Sequence, residues 1–294
     1  MRTYRLTRLL VLAVFVLAGC GLTTSGEDAA DEPELDVAAV GADPRNVSFP
    51  LDVSRVTGEQ SLVIIHARDL VMQRCLARFG FDLPMRPPVG QDSADIASFG
   101  LIDERRAQER GYLRDIKETG PEFISQVPPE ATPVLTGNVG TYGGVPVPEG
   151  GCQGESFRAV TGGDSMPKDG NFVESLRHEA WSRALDDSRV QRLLKQWRSC
   201  LKDAGFPEFK DPGETYTYWQ GKRKPKVNTP SQEEVAMAVA DVRCKQQVKL
   251  LPTWIAANVA YQNRLAEENA QRLAEYKAYV AKSMELANQI VSGG

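Results

Sequence analysis

"QRCLARFGFD" occupies residues 73–82 and "WRSCLKDAGFPE" residues 197–208, and each holds Cys-Leu, three residues, then Gly-Phe. As the end of a helix, this spacing has a direct physical meaning. A glycine just past the last turn takes a left-handed backbone, which puts the leucine four residues earlier at C3 and the following phenylalanine at C″. Those two positions touch in a Schellman cap. Leu76 with Phe81 and Leu201 with Phe206 fill them, and Pro84 and Pro207 follow as helix stops. Cys75 and Cys200 precede the leucines by one residue, beside the buried face. The repeat therefore predicts two capped helix ends, each with a cysteine placed to bridge inward. A reactive thiol is disfavoured there, because a helix C-terminus carries partial negative charge.

The remaining cysteines extend this reading. Cys20 follows a segment in which Arg2, Arg5 and Arg8 precede an apolar run from Leu9 to Leu17. Charge, length and flanks are those of a signal peptide over 1–19, too short for a permanent span. Leu17-Ala18-Gly19-Cys20 resembles the lipobox of bacterial prolipoproteins. That resemblance implies cleavage before Cys20, a diacylglyceryl group on its thiol, and acylation of the new amine, palmitate being a typical chain. Two or three chains hold a membrane where one is marginal. The expected location is the outer face of the plasma membrane. Outside the cytoplasm, Cys75, Cys152, Cys200 and Cys244 read as two disulfides. The favoured pairs are Cys75–Cys152 and Cys200–Cys244, each closing a loop within its own half; Cys75–Cys200 is the alternative. No Cys-x-x-Cys occurs and neither His66 nor His178 lies near a cysteine in sequence, so no metal and no cofactor is expected.

Removing residues 1–19 takes away three arginines and no carboxylate, moving the net charge from −4 to −7. Such a surface is a poor match to nucleic acid, where phosphate contacts dominate affinity. Residues 20–56 are acidic and rich in small side chains, which predicts a lipidated cysteine followed by a flexible tether. About 30 such residues reach roughly 30 Å. Order is expected from Thr57, where Thr57-Gly58-Glu59-Gln60 fits a capping box.

A helical, disulfide-stapled domain is expected over 57–251. Its first helix runs to Phe79 with Leu62, Ile65, Met72 and Leu76 on one side, and a charged, superficial helix covers 103–117. The Gly/Pro-rich stretch 120–170 suggests packed irregular chain or short β-hairpins. Three further helices follow: one over 172–185, one capped by Asp187 or Ser188, and one capped at Ser231 with Glu234 completing a box. The middle one carries Val190, Leu193, Leu194, Trp197, Leu201 and Ala204 at helical spacing, and the last carries Met237, Ala240, Cys244, Val248 and Leu251. From Pro252 a single C-terminal helix, 252–294, keeps Ile255, Val259, Ala266, Ala270, Leu273, Val280, Met284, Ala287 and Val291 on one face. Some 38 residues make a rod of roughly 57 Å, which overhangs the body, folds back as a hairpin or meets a partner in coiled-coil fashion. The fold class is mainly α, with a small β-hairpin at most.

Taken together, the lipobox, the two Cys-Leu-x3-Gly-Phe helix ends and Gly150-Gly151-Cys152-Gln153-Gly154-Glu155 resemble a group of lipoproteins of high-GC Gram-positive bacteria. The resemblance implies location and fold, and no activity comes with it.

Candidate chemistry is sparse. Gly163-Asp164-Ser165 resembles the nucleophile segment of GDSL-type hydrolases, with His178 as its only available base. Those enzymes place their histidine near the C-terminus, and none follows His178 here. A carboxylate pair acting on wall polymer is the other hydrolase reading. The stretch "ETYTYWQGKRKPK" sets Tyr216, Tyr218 and Trp219 beside Lys222, Arg223 and Lys224 in an otherwise acidic chain. Alternation there predicts an extended hairpin arm. Its aromatic faces would meet sugar rings or cations, and its lysines anionic polymer or lipid; a hairpin with rings packed inward is the plainer reading. The expectation is a non-enzymatic envelope protein that binds a cell-wall polymer or assists a membrane protein complex.

Overall fold

In the computed structural model, which describes residues 32–41, 43–82, 99–113, 127–163, 171–223 and 229–293, both repeats end as Schellman caps. The Phe81 amide donates to Leu76 O at 3.2 Å and the Gly80 amide to Ala77 O at 3.1 Å. Phe206 donates to Leu201 O at 3.0 Å and Gly205 to Lys202 O at 2.9 Å. Gly80 and Gly205 sit at φ 83° and 86°. A Cβ on Gly205 would meet nothing within 4 Å, so only the left-handed penalty opposes a side chain there. Gly205→Ala should therefore cost about 1 kcal/mol, read as a lower denaturant midpoint with an unchanged slope. An unchanged midpoint would refute the cap.

The described residues from Pro33 on form one compact unit. They form eleven α-helices: α1 Val37–Val40, α2 Gly58–Ala77, α3 Glu104–Arg110, α4 Thr132–Thr136, α5 Gly151–Thr161, α6 Phe172–Asp186, α7 Ser188–Asp203, α8 Pro212–Lys222, α9 Gln232–Gln247, α10 Leu250–Glu268 and α11 Ala270–Ser292. One antiparallel hairpin, β1 Thr141–Tyr142 with β2 Val145–Pro146, lies in the Gly/Pro-rich stretch.

Helix α10 is apolar on nearly all sides, with Leu250, Leu251, Trp254, Ile255, Ala256, Ala257, Tyr261 and Leu265 buried, and a helix of that kind belongs at the centre of a core. Around it pack α1, α6, α7, α9 and the 3₁₀ turn Pro50–Ser54. Val190, Leu194, Trp197 and Leu201 of α7 face this main cluster, as their spacing predicts. Smaller clusters join α2, α4, α5 and α11: Met72, Cys75, Leu76, Val134, Leu135 and Cys152 in one, and Ala67, Val160 and Ala287 in the other. Ala67 and Ala287 are fully buried, and such small side chains let α2 and α11 approach closely.

The two disulfides are Cys75–Cys152 and Cys200–Cys244, with Cα atoms 5.6 and 5.7 Å apart. The first clamps α2 to the start of α5, and the second clamps α7 to α9. Loops of these lengths each contribute roughly 4 kcal/mol by the chain-entropy account.

A polar network lies inside the main cluster. Asp241 accepts from Trp197 Nε1 at 2.9 Å, Tyr112 Oη at 3.2 Å and Lys245 Nζ at 3.0 Å, and Lys245 also donates to Leu101 O at 2.9 Å. Both ions have no exposure. Burial pushes the Asp241 carboxyl up and the Lys245 ammonium down, while their mutual attraction and hydrogen bonds oppose both shifts. Burial, then the nearby Asp241 charge, pushes the Tyr112 hydroxyl far above its ordinary range.

Several expectations need correction. The stretch expected to be tether, 20–56, packs in its later described part: Phe49 and Leu51 are buried in the main cluster, and Arg189 donates to Pro33 O at 2.9 Å. Two large apolar residues anchor a segment that its average composition marks as unfolded. The charged helix is short, because Gly111 at φ 51° ends α3; it lies at the surface as expected, with Ala107 its one buried residue, while Tyr112 and Leu113 just past its end are buried. Ser231 caps α9 by accepting from the Glu234 amide at 3.1 Å, but the Glu234 carboxylate does not return to complete the box. It accepts from Tyr112 N at 2.9 Å and pairs with Arg223 at 2.6 Å.

The residues expected as an extended arm form helix α8. Asp211 caps it, accepting from Gly213 N and Glu214 N at 2.8 and 3.1 Å, and Pro212 occupies its first turn. The long C-terminal helical run is present, interrupted at Asn269, whose side chain donates to Leu265 O at 2.8 Å. Beyond the interruption the expected stripe is kept at Leu273 and Ala287, which are buried, and at Val280 and Met284, which are half-buried, while Ala270 and Val291 are exposed. The far half packs on α2 and α5.

Candidate functional site

Helix α6 begins at Phe172, and α10 is its main neighbour. Glu174, Arg177, His178 and Trp181 recur at i, i+3, i+4 and i+7, which places them on one side of α6. Asn258 and Gln262 face that side from α10, one turn apart. Phe49, leading into the 3₁₀ turn, and Phe99, before α3, close the ends. Together these eight residues line a cleft of about 290 Å³.

Its apolar wall is a set of touching rings. Phe49 stacks on Phe99 with centroids 6.4 Å apart, and Phe99 meets Trp181 and Trp254 edge-on at 4.8 and 5.3 Å. Trp181 and Trp254 lie 4.7 Å apart. The Trp254 Nε1 donor is buried with no acceptor among the described residues. The polar wall is held from behind: the Leu51 amide donates to Gln262 Oε1 at 3.1 Å, and Gln262 Nε2 donates to Asn258 Oδ1 at 3.2 Å. At the rim, Glu174 pairs with Arg177 at 2.7 Å and with Arg55 at 2.9 Å, and Arg177 stands 3.7 Å from Asp52. His178 is exposed beside them.

The residues singled out from the sequence lie elsewhere. Trp219 is buried against α9 and donates from Nε1 to Met237 Sδ at 3.1 Å. Tyr216 is half-buried on the main cluster. Tyr218 meets Phe209 edge-on at 5.3 Å, and Lys222 Nζ sits 4.4 Å above its ring. Lys222 also lies 3.8 Å from Glu233, while Arg223 is bound to Glu234. These rings and charges fasten α8 to its surroundings. Lys224, Ser165 and Cys20 lie outside the described residues. His178 reaches the cleft, whereas His66 is exposed on α2. Glu174 is the one carboxylate lining the cleft among the described residues. Groups of three or more His, Cys, Asp or Glu able to hold a metal ion are absent among the described residues.

Sequence reasoning passed over Trp181, Asn258 and Gln262. The available signal was two amides spaced i, i+4 on an otherwise apolar helix, one turn after Trp254. No protein-family model matches this chain, and neither does any curated protein or solved structure.

Proposed function

We propose that this chain is a lipid-anchored extracytoplasmic protein that binds a small ligand in the cleft between α6 and α10 without transforming it. The observation that carries this reading is the cleft itself, where stacked aromatic rings face two amides held in place by the Leu51 backbone. Concave sites with mostly apolar walls and a few fixed polar groups are how proteins hold small molecules. The lipobox-like Leu17-Ala18-Gly19-Cys20 supports the anchor. The two disulfides support an oxidising compartment, where such bonds persist. Among the described residues no helix is long and apolar enough to cross a membrane; the attachment proposed is the acylated Cys20. On this reading the ligand is a component of the envelope next to the membrane.

Expression in a bacterium that processes prolipoproteins tests the anchor. The chain should sediment with membranes, start at Cys20 and carry the mass of a diacylglyceryl group and an acyl chain. Cys20→Ala should abolish that mass increment and release the protein on detergent phase separation. An unmodified Cys20 in the wild-type protein would overturn the proposal.

A further inference from the structure

Three features restrict what the cleft can hold. The first is hydrogen-bond direction. The Leu51 amide can only donate, so Gln262 must turn Oε1 towards it and Nε2 towards Asn258. Asn258 must then turn Oδ1 to Gln262, which leaves its Nδ2 as a donor at the cleft wall. Asn258 is otherwise buried, and this donor makes no hydrogen bond among the described residues and opens onto the cleft. A ligand that fills the cleft would cut this donor off from water, so the site suits one that brings an acceptor of its own.

The second feature is charge. Arg177 and Arg55 share Glu174, and Asp52 lies beside Arg177. The rim is neutral within itself, so an ionic ligand would be desolvated without gaining a counter-charge of its own. The third is size and surface. Phe49, Phe99 and Trp181 offer carbon, and about 290 Å³ is at the lower end for small-molecule sites, enough for one ring and a short substituent.

We infer that the cleft takes the acetamido-bearing ring of a neutral N-acetylated sugar. The acetamido carbonyl accepts from Asn258 Nδ2, its methyl group lies against Phe49 and Phe99, and a C–H face of the ring lies towards Trp181. The acetamido N–H turns to the rim, where Glu174 and His178 can accept. A simple hydroxyl would also accept from Nδ2, but it would bring a proton needing its own acceptor inside an aromatic wall. A carbonyl brings none. This assignment rests on the binding reading above and names its ligand class.

The test titrates the full chain with N-acetylglucosamine, glucose and acetate, following tryptophan fluorescence and saturation-transfer NMR. N-acetylglucosamine should bind at least tenfold more tightly than glucose, and acetate should not bind. Asn258→Ala should weaken N-acetylglucosamine about tenfold, and Trp181→Ala should abolish saturation transfer, with melting checked for both. Should Asn258→Ala fail to fold, the half-buried Trp181 variant and the ligand ranking decide the matter. Trp181-dependent binding of glucose or acetate as tight as that of the acetylated sugar overturns the acetamido assignment and leaves the cleft a binding site. No Trp181-dependent response to any of the three overturns both.

Discussion

Replacing Asp241 with alanine should destabilise the protein by about 3–5 kcal/mol, the cost of breaking a buried ion pair by removing one member. The loss would strand Lys245, which has no solvent exposure and keeps only the Leu101 carbonyl. It would also orphan the Trp197 indole and leave the Tyr112 hydroxyl with Thr215 alone, since both donate to Asp241. At about 2–4 °C per kcal/mol for a body of this size, melting should fall by roughly 10 °C. The double variant Asp241→Ala/Lys245→Met should lose less than the two single losses combined, because the unpaired charge leaves with the lysine. Equilibrium denaturation under oxidising conditions, with the adjacent Cys200–Cys244 bond intact, gives both numbers. A shift under 1 kcal/mol for Asp241→Ala would mean that the network contributes little.

The second large effect is expected at Gly151. This residue sits at φ +64°, and a Cβ there would come within 2.4 Å of Gly137 N, Leu135 O and Val134 O. All three are backbone atoms at the end of α4, so no flexible side chain can move aside. Gly151→Ala should cost about 3 kcal/mol or more, combining left-handed strain with a displaced helix start. Gly205→Ala is its natural control, having the same backbone region and open space around it. Because Cys152 follows directly, the displacement should also impair closure of Cys75–Cys152. Thiol alkylation of the purified variant should count two free cysteines in a fraction of molecules, against none for Gly205→Ala. Equal melting of the two glycine variants would refute the clash.

What could be read from the sequence was local. The two Schellman caps each depend on six consecutive positions and on the freedom of one glycine, so their spacing alone carries them. The disulfide pairs follow from four cysteines and the helix faces that hold them. The long-range assembly was not legible. Phe49 and Leu51 pack on α10 some 200 residues away, and nothing near them in the chain marks them as core. The α8 helix was hidden because Tyr216 and Tyr218 alternate like strand residues, while the decisive signal was Asp211-Pro212 at its start. The cleft shares the difficulty: Glu174, Arg177, His178 and Trp181 show a helical spacing, but only tertiary packing turns that side towards Asn258.

Each sulfur bond joins helices that already share one apolar cluster, and neither ties the Met72–Cys152 cluster to the main one. Within the one compact unit from Pro33 on, each bond thus stitches a single cluster, or lobe, and no disulfide crosses from one lobe to the other. Opening one bond should loosen its own lobe and spare the other, so local unfolding would follow that boundary. The cleft, built wholly from the α10 lobe, would outlast the loss of the Cys75–Cys152 stitch.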